Sequence, residues 1–309
     1  MKAARVLEFG SPSVISIDDL PRPEPSAGQL LVRVFAAGVG SWDALVRSGK
    51  SGLKQLLPLI LGSELSGVVE AVGEDVVGFK PGDDVYGSTN EMFTGAYVEY
   101  AISSARMMAS KPRKLTHIEA ASCPIGAVTA WQMLFDYAHA TARQTVLIHG
   151  AAGNVGAYAV QLARHADLHT LATAATADLE FVKSLGAESV VDYRTTTLEN
   201  SFSAVDIVLD TVGGDVQQRS LSVLKPGGIL VSVVSKVPEE TQKRFNRRTA
   251  FFYVEVTTER LNKITELFDE GSLVPHVGTV LPLAGARTAH EMLGGAPHKR
   301  GKIVLQVAA

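Results

Sequence analysis

Cysteine is almost absent from the 309-residue sequence, and long hydrophobic runs are missing. Cys123 is the single cysteine, which excludes a disulfide bond within the chain and fits a reducing compartment. No apolar run approaches the ~18 residues that span a bilayer, and residues 1–6 lack the apolar core of a secretory signal peptide. We therefore expect a cytoplasmic protein with no membrane partner.

Charge of one sign is not concentrated anywhere in the sequence. The chain has 29 basic and 32 acidic residues, a net charge of -3, and both signs are scattered. Because there is no basic tract, nucleic acid is not expected as a partner. Apolar residues make up 46% and charged residues 20%, an ordinary balance for a globular protein. The length suffices for two domains of ~100–200 residues each.

Two kinds of secondary-structure pattern divide the chain. Residues 1 to about 115 are β-rich, with strands predicted at 30–35, 65–72 and 96–101. After residue 117 strand and helix patterns alternate, which indicates a parallel doubly wound α/β sheet. The strands predicted in this part are 145–149, 168–173, 205–209, 229–234 and 251–256, and the helices are 154–165, 178–185 and 215–224.

The end of the chain is predicted to return to the first domain. It contains helices at 259–270 and 286–293 and a strand at 302–307. We therefore expect a discontinuous β-rich domain made of residues 1–117 and 257–309. The α/β region, residues 118–256, is then expected to form a second domain inserted between these two segments.

A glycine-rich turn between a predicted strand and a predicted helix is the strongest local motif. Residues 146–156 read Val-Leu-Ile-His-Gly-Ala-Ala-Gly-Asn-Val-Gly. Glycine lets the backbone turn tightly and approach a ligand, and the N–H groups at the start of the helix can hold a pyrophosphate. Because the spacing is Gly-x-x-Gly-x-x-Gly, a plain turn of small residues is the alternative. The candidate cofactor-binding residues are Gly150, Ala152, Gly153, Asn154 and Val155.

The tip of the next predicted strand bears on the choice of cofactor. In NAD-binding folds an acid about 20 residues after the motif binds the ribose 2′-hydroxyl. Residues 171–176 read Leu-Ala-Thr-Ala-Ala-Thr, with no acid at the tip, which favours NADP(H). Asp178 lies close by, so NAD(H) stays open. The residues that can hydrogen-bond a phosphate, or are ordinary polar loop residues, are Thr173, Thr176, Tyr193 and Arg194.

Short blocks of sequence follow one another in the order of a known family. They are Val-Arg-Val at 32–34 with Ala-Ala-Gly-Val at 36–39, Leu-Gly-Ser-Glu at 61–64 with Ser-Gly-Val-Val at 66–69, Val-Gly at 72–73, Phe-Lys-Pro-Gly-Asp at 79–83, His-Gly-Ala-Ala-Gly at 149–153, Leu-Gly-Ala at 185–187, Asp-Thr-Val-Gly-Gly at 210–214 and Gly-Lys-Ile-Val-Leu at 301–305. Each block is weakly specific, but their joint order is highly specific. Over nearly its whole length the sequence resembles the zinc-independent medium-chain dehydrogenases/reductases, in the quinone oxidoreductase or zeta-crystallin branch.

The resemblance implies a fold, an activity and an assembly. It implies that the β-rich domain is a GroES-like catalytic domain and that the cofactor lies in a cleft beside the Rossmann domain. The implied activity is NADPH-dependent reduction of a quinone or an α,β-unsaturated carbonyl compound, a small-molecule partner. The implied assembly is a homodimer formed by pairing the last Rossmann strand, here near 251–256.

Metal ligands are missing where the zinc-dependent branch of the superfamily carries them. By the resemblance, the catalytic ligand positions are Gly40, Ser63 and a position near Ile125, beside a retained Glu64. Zinc needs thiolate, imidazole or carboxylate ligands, so we expect no metal. The loss of zinc fits a conjugated acceptor, because an enone or quinone spreads the incoming charge over a conjugated oxygen whereas a saturated ketone needs stronger polarisation. The nicotinamide then carries the chemistry and the protein orients it.

By the same resemblance, residues 40–43 line the cleft next to the nicotinamide. Relatives usually carry Asn-Pro-x-Asp there, whereas this chain has Gly40, Ser41, Trp42 and Asp43. Ser41 and Asp43 are the candidate catalytic residues. Ser41 is either a hydroxyl donor to the substrate oxygen or a turn residue before a helix, and Asp43 is either a family site residue or a helix-capping acid.

The remaining candidate cofactor contacts are assigned by family position. They are Gly40, Thr129, Thr211, Val212, Val233, Ser235, Phe252, Val254 and Arg300. Arg300 is alternatively a solvated charge. We expect zinc-free hydride transfer from NADPH, and two alternatives stay open: a zinc-free reductase of another carbonyl substrate, and a nucleotide-binding regulatory or structural protein of this fold with little turnover, to which the departure at Gly40 gives weight.

Overall fold

The computed structural model of the protein describes residues 1–308. The chain forms two compact units. One consists of Met1–Ile125 and the chain from Glu255 onward, and the other of Gly126–Val254. The divisions thus fall at 125 and 255, against the expected 117 and 257. Within the described residues no helix is both long and apolar enough to cross a membrane.

The secondary-structure elements are numbered along the chain. The strands are β1 (Lys2–Val6), β2 (Ile15–Asp19), β3 (Gln29–Val39), β4 (Leu59–Ile60), β5 (Glu64–Val72), β6 (Asp84–Ser88), β7 (Tyr100–Ser104), β8 (Met108–Ser110), β9 (Thr145–Ile148), β10 (His169–Ala174), β11 (Ser189–Asp192), β12 (Val205–Asp210), β13 (Leu224–Ser232), β14 (Arg248–Phe251), β15 (Val277–Pro282) and β16 (Lys302–Gln306). The helices are α1 (Ser41–Arg47), α2 (His117–Ala121), α3 (Pro124–Trp131), α4 (Asn154–His165), α5 (Leu179–Ser184), α6 (Leu198–Ser201), α7 (Asp215–Val223), α8 (Glu239–Phe245), α9 (Thr258–Glu270) and α10 (Ala286–Leu293).

β3 is the central strand of the main sheet in the first unit. The sheet has the order β15-β16-β3-β5-β6-β8, and β7 also pairs with β3. Most of β3 is buried, which explains its nearly continuous apolar sequence. Its register places Gly38 opposite Glu64 and Val39 opposite Ile303. Because β3 and β16 are antiparallel, Lys302 comes opposite Gly40.

A smaller sheet of the order β2-β1-β4 packs on the same core of the first unit. Val6, Leu30, Leu61, Tyr97 and Leu305 are among the fully buried side chains of this core. Burial of such side chains contributes roughly 1.5–3 kcal/mol each, and this core holds together segments from both ends of the chain. The structure confirms the predicted β-rich architecture.

The second unit is a doubly wound parallel sheet, as predicted. Its strand order is β11-β10-β9-β12-β13-β14, and all neighbouring strands are parallel. Val146, Leu147 and Ile148 of β9 are fully buried at its centre. The order reverses between β9 and β12, and such folds bind ligands at the carboxyl ends of the strands at this reversal.

One predicted strand of the second unit is wrong. The sequence predicts a strand over 251–256, but β14 is Arg248–Phe251 and pairs with the end of β13. Phe252 is buried because its ring stacks on Tyr137, with 4.2 Å between the ring centroids, and Val256 is also buried. Phe252 and Val256 are therefore apolar because they pack in the core, not because they pair within this sheet.

Two other segments differ from the sequence prediction. The predicted strand at 96–101 overlaps β7 only at its end, since β7 begins at Tyr100. The helical segment from α2 through α3, continued by a π-helical stretch at Gln132–Tyr137, was not predicted. Its start carries a capping box, because Thr116 Oγ1 accepts from Glu119 N and Glu119 Oε2 accepts from Thr116 N.

Candidate active site

The glycine-rich turn connects β9 to α4 and is closed by backbone contacts. Gly150 has a φ of 66°, which favours glycine, and Gly153 N donates to Gly150 O at 2.9 Å. A Cβ on Gly156 would lie 2.2 Å from Gly150 O, so α4 packs on the turn only because residue 156 is glycine. Gly153, the N-cap, has no side chain, which leaves the first N–H groups of α4 for a phosphate. Ala152, Asn154 and Val155 are half-buried around the turn.

The end of β12 meets this turn. Thr211 Oγ1 donates to His149 O at 2.8 Å. A Cβ on Gly150 would lie 2.4 Å from Thr211 Oγ1 and 3.2 Å from Val212 Cγ2. The structure thus brings the candidates Gly150, Thr211 and Val212 together at the edge of the sheet where ligands bind in this fold.

Asp210 is buried and fixes the segment that follows β13. Its carboxylate accepts the hydroxyl of Ser232 at 2.8 Å and the side-chain amide of Gln217 at 2.9 Å. Gln217 also donates to Ser235 O at 2.9 Å, and Val233 N donates to Asp210 O at 3.2 Å. The candidates Val233 and Ser235 are therefore held beside the end of β12. The sequence analysis did not identify Asp210 and Gln217 as the residues that hold the segment after β13 in place.

His149 links three elements of the second unit behind the turn. Its Nδ1 lies 3.0 Å from Thr173 Oγ1 and its Nε2 lies 2.9 Å from Ser220 Oγ. Burial lowers the pKa of His149 to about 4, against the opposing effect of Asp210. His149 is therefore neutral at physiological pH and ties β9, β10 and α7 together through hydrogen bonds. The hydroxyl of Thr173, a candidate cofactor contact, faces this imidazole.

The candidates Thr176 and Tyr193 lie at the tips of β10 and β11. The Thr176 hydroxyl donates to the Asp192 carboxylate, and Arg194 N donates to Asp192 Oδ1 at 2.8 Å. The hydrogen bond from Thr176, followed by that from Arg194 N, lowers the pKa of Asp192. Tyr193 is 56% exposed, with the Arg194 guanidinium 5.6 Å from its ring centroid. The sequence analysis did not identify Asp192, whose carboxylate oxygens accept hydrogen bonds from Thr176 and Arg194 N. Tyr193 and Arg194 form an exposed rim beside it.

The other cofactor candidates of the second unit lie on or next to α3 and after β14. A Cβ on Gly126 would lie 2.4 Å from Asn154 Nδ2, so Asn154 packs against the first turn of α3. Thr129 follows on the same helix and is buried. Phe252 is buried and Val254 half-buried. Their contacts with a cofactor stay predictions.

In the first unit, Gly40, Ser41 and Asp43 lie where β3 passes into α1. Gly40 N donates to Asp43 Oδ2 at 2.8 Å, and Asp43 N donates to Gly40 O at 3.0 Å. This is the helix-capping arrangement that the sequence offered as the alternative for Asp43. Ser41 begins α1 and is exposed. The catalytic roles of Ser41 and Asp43 stay predictions.

The Asp43 carboxyl group is buried, 2% exposed, among hydrogen-bond donors. Besides Gly40 N, it accepts the Ser63 hydroxyl at 2.5 Å and the Tyr97 hydroxyl at 3.0 Å. Burial raises the pKa of Asp43 to about 6, although the hydrogen bonds from Ser63 and Gly40 lower it. Burial, with the Asp43 charge, raises the pKa of Tyr97 well above its usual value. Tyr97 is thus neutral and a fixed donor to Asp43.

Glu64 and Lys302 form a buried ion pair next to Asp43. Their side chains are only 2% and 5% exposed. Ile125 N donates to Glu64 Oε2 at 2.7 Å. A Cβ on Gly38 would lie 2.7 Å from Glu64 Oε1, so this glycine of β3 makes room for the carboxylate. A Cβ on Gly40 would lie 3.2 Å from Lys302 Nζ.

These residues do not fit a zinc ion. Of the positions that the resemblance assigns to zinc ligands, Gly40 has no side chain, and Ile125, near which the third position falls, has an apolar one. The remaining position, Ser63, gives its hydroxyl to Asp43. The Lys302 ammonium lies beside Glu64 and repels a divalent cation. Across residues 1–308, no cluster of three or more His, Cys, Asp and Glu residues is placed to hold a metal ion.

Sequence reasoning missed Lys302 and Tyr97 as members of this cluster. Lys302 belongs to one of the matching sequence blocks, but only the pairing of β3 with β16 places it opposite Gly40. Arg300, the candidate two residues earlier, is exposed in the segment that leads into β16. Its contact with a cofactor stays a prediction.

Family models match segments that extend over most of the chain. Residues 26–113 match the alcohol dehydrogenase GroES-like domain. Residues 185–305 match the family described as zinc-binding dehydrogenase. The first match confirms that the β-rich unit is GroES-like. The second match covers the Rossmann unit from residue 185 onward and most of the C-terminal segment that belongs to the first unit.

Full-length similarities point to one branch of this superfamily. Quinone oxidoreductase from Homo sapiens is 31% identical over 322 residues, covering 99% of this chain and 97% of that protein. The solved quinone oxidoreductase from Coxiella burnetii has a TM-score of 0.92 at 34% identity, covering 99% of each chain. A mycobacterial protein solved in complex with NADPH has a TM-score of 0.88 at 28% identity, covering 99% of this chain and 100% of that one. The chain is therefore a nicotinamide-dependent oxidoreductase and belongs to the quinone oxidoreductase type of medium-chain dehydrogenases/reductases.

Proposed function

We propose that this chain reduces quinones or other α,β-unsaturated carbonyl compounds by direct hydride transfer from NADPH, without zinc. The observation that carries the proposal is the set of side chains at the former ligand positions. Gly40, Ser63 and Ile125 offer no zinc ligands, while the second unit keeps a complete glycine turn. A conjugated acceptor suits such a site, because the charge of the incoming hydride spreads onto a distant oxygen.

The second unit fits a nicotinamide dinucleotide. Gly150 and Gly156 keep the turn tight, and the start of α4 supplies N–H groups for the diphosphate. We assign the path of the cofactor to the glycine turn and, beyond it, to Thr129, Thr211, Val212, Val233, Ser235, Phe252 and Val254. When bound, the dihydronicotinamide supplies the hydride.

The rim at the tips of β10 and β11 supports a preference for NADPH over NADH. Tyr193 and Arg194 are exposed there, and a guanidinium forms strong charge-assisted hydrogen bonds to a phosphate. The nearby carboxylate of Asp192 is engaged by Thr176 and Arg194 N. It therefore accepts hydrogen bonds from the protein and is not presented to a ribose hydroxyl.

The first unit supplies orientation and a hydroxyl donor. Ser41 is exposed at the start of α1 and can donate to the oxygen of a substrate. The capping bonds between Gly40 and Asp43 fix this segment. Holding the acceptor carbon near the reactive ring accounts for most of what a protein contributes to such a transfer.

The test is the loss of dihydronicotinamide absorbance with a panel of acceptors. We expect turnover with benzoquinone and with an enone such as methyl vinyl ketone, and turnover with acetone at least ~100-fold slower. Binding of NADPH without turnover on any acceptor would favour the nucleotide-binding protein with little activity. Equal turnover of saturated carbonyls would favour a reductase of another substrate class.

We also propose a homodimer and a cytoplasmic location. β14 is an edge strand of its sheet, and Phe251 with the exposed Tyr253 forms an aromatic pair next to that edge, with centroids 5.4 Å apart. An edge of this kind is suited to pairing with a second copy. Cys123 is a buried free thiol. A reducing compartment such as the cytoplasm keeps thiols in this state.

A further inference from the structure

Lys302 is the one lysine that is buried within residues 1–308. Two carboxylates, Asp43 and Glu64, are buried with it, and only Glu64 is in direct contact with the ammonium. A buried lysine is costly unless it is paired, and a hydrophobic residue would serve packing equally well. The position of this charge therefore calls for an explanation.

The ammonium lies against a backbone position that has no side chain. A Cβ on Gly40 would meet Lys302 Nζ at 3.2 Å and Asp43 Oδ2 at 3.9 Å, and no other atom beyond its chain neighbours within 4 Å. Gly40 has an extended φ of -139°, which any residue adopts. The conformation of the backbone does not require glycine here. What the missing side chain provides is an approach to Lys302 Nζ.

The ammonium also has donors to spare. It carries three N–H groups, and within the described chain its polar partner is Glu64. The neighbouring Asp43 carboxylate accepts its hydrogen bonds from Ser63, Tyr97 and Gly40 N instead. An oxygen atom that approaches past Gly40 thus meets a cation with N–H groups left over, next to carboxylates whose oxygens already accept hydrogen bonds from the protein.

We propose that Lys302 is a catalytic residue whose ammonium binds the carbonyl oxygen of the substrate through the gap at Gly40, in place of the metal of the zinc-dependent branch. The inference rests on the proposed reductase function. As hydride adds to the conjugated system, the displaced π electrons move to that oxygen. The resulting enolate or hydroquinone anion is stabilised by the ammonium, and water then supplies the proton. A fixed charge that points at the atom where negative charge develops stabilises such an oxyanion without having to reorient first.

The first test compares substitutions of Lys302 with a matched surface control. Lys302→Met is expected to lower kcat with benzoquinone about 10²–10³-fold while the Kd for NADPH is unchanged. Lys302→Arg is expected to keep more of the activity because it keeps the charge. Lys263→Met, the same change at the exposed end of an ion pair with Glu259, is expected to leave kcat unchanged. Wild-type kcat in Lys302→Met would overturn the proposal.

Folding and catalysis are separated by a double variant. Lys302→Met alone leaves Glu64 buried without its partner, which destabilises the fold. Lys302→Met combined with Glu64→Gln removes both charges at nearly constant volume. We expect this variant to fold and bind NADPH as the wild type does and to lose the same factor in kcat. If it folds and reduces benzoquinone at the wild-type rate, Lys302 is structural only.

A second readout needs no turnover. p-Nitrophenol is a phenol whose anion is coloured, and it imitates the oxyanion. A neighbouring ammonium lowers the apparent pKa of a bound acid by about 1–3 units, so wild-type protein is expected to bind the phenolate and lower this pKa, and Lys302→Met is not. An equal pKa on both proteins would contradict the proposal. If the wild type oxidises no NADPH with any acceptor, the reductase function fails, while the phenolate shift still reports whether the ammonium binds an oxyanion.

Discussion

At residue 43 a carboxyl group lies in the interior of the first unit, surrounded by three hydrogen-bond donors. The residue type and its place before a helix left two roles open, a helix cap and a group in the site. The structure shows the capping bonds, and it also joins Asp43 to Ser63 and Tyr97, which lie far along the sequence. Such partners cannot be read from the local pattern, because they depend on how distant segments pack: Ser63 directly precedes β5, and the backbone of Tyr97 is hydrogen-bonded to Leu61 and Ala4.

The raised pKa of Asp43 predicts how stability depends on pH. Its pKa is about 6 in the folded protein and ~3.9 when unfolded. Between these values the folded state holds a proton that the unfolded state has lost, so this group's contribution to stability declines as pH rises through 6. The free energy of unfolding of the wild type, minus that of Asp43→Asn, should fall by about 2–3 kcal/mol from about pH 4 to about pH 7. Denaturant titrations at several pH values measure this difference, and a constant difference would contradict it.

Arg194 is predicted to select the cofactor. Because its guanidinium is exposed beside Tyr193, Arg194→Ala should weaken NADPH binding at least ~10-fold and leave NADH binding nearly unchanged. The control is Arg244→Ala on α8, which removes an arginine that lies over the Phe245 ring of the same unit. Fluorescence titration of the wild type and both variants with each nucleotide gives six dissociation constants. Equal losses for NADPH and NADH would show that Arg194 does not bind the 2′-phosphate.

Among elements, those with a strong local signal were predictable and those that depend on pairing were not. The buried strand β9, the glycine turn and α4 follow from apolar residues, glycine spacing and helical periodicity, all contained within about 20 residues. The predicted strand at 251–256 was wrong because Phe252 and Val256 are apolar for packing, and no sequence pattern distinguishes this from pairing. The position of Lys302 opposite Gly40 likewise follows only from the β3–β16 register.

The βα turn is predicted to tolerate no side chain at Gly156. A Cβ there would lie 2.2 Å from Gly150 O and 2.7 Å from Ala151 Cα, both backbone atoms that cannot move without opening the turn. Gly156→Ala should therefore lower the melting temperature of the nucleotide-free protein and weaken NADPH binding at least ~10-fold. Gly153→Ala meets only Gly150 O, at 3.2 Å, and should destabilise the protein much less. Equal stability of the two variants would contradict this account of the turn.

For the whole molecule, the sequence predicted two units, with the first built from both ends of the chain. The prediction was possible because the β-rich pattern gives way to alternating strands and helices after residue 117. The sequence could not give the assembly, since the strand on which that inference rested lies a few residues earlier, at Arg248–Phe251.

The edge at β14 is predicted to be the dimer contact. Tyr253 is 54% exposed in the single chain, so Tyr253→Lys should leave the fold intact and place a charge where two copies meet. Sedimentation equilibrium is expected to show a dimer for the wild type and a shift towards monomer for the variant. A monomeric wild type, or a variant dimer of unchanged stability, would rule out this edge.

Metal-independent hydride transfer from NADPH to a conjugated acceptor is the central claim, and one measurement tests it directly. NADPH oxidation with benzoquinone is followed before and after exhaustive treatment with a metal chelator, with the zinc content of each sample determined. We predict the same kcat/KM in both samples and no gain on adding zinc. Activity that disappears with the metal and returns with zinc would contradict the account.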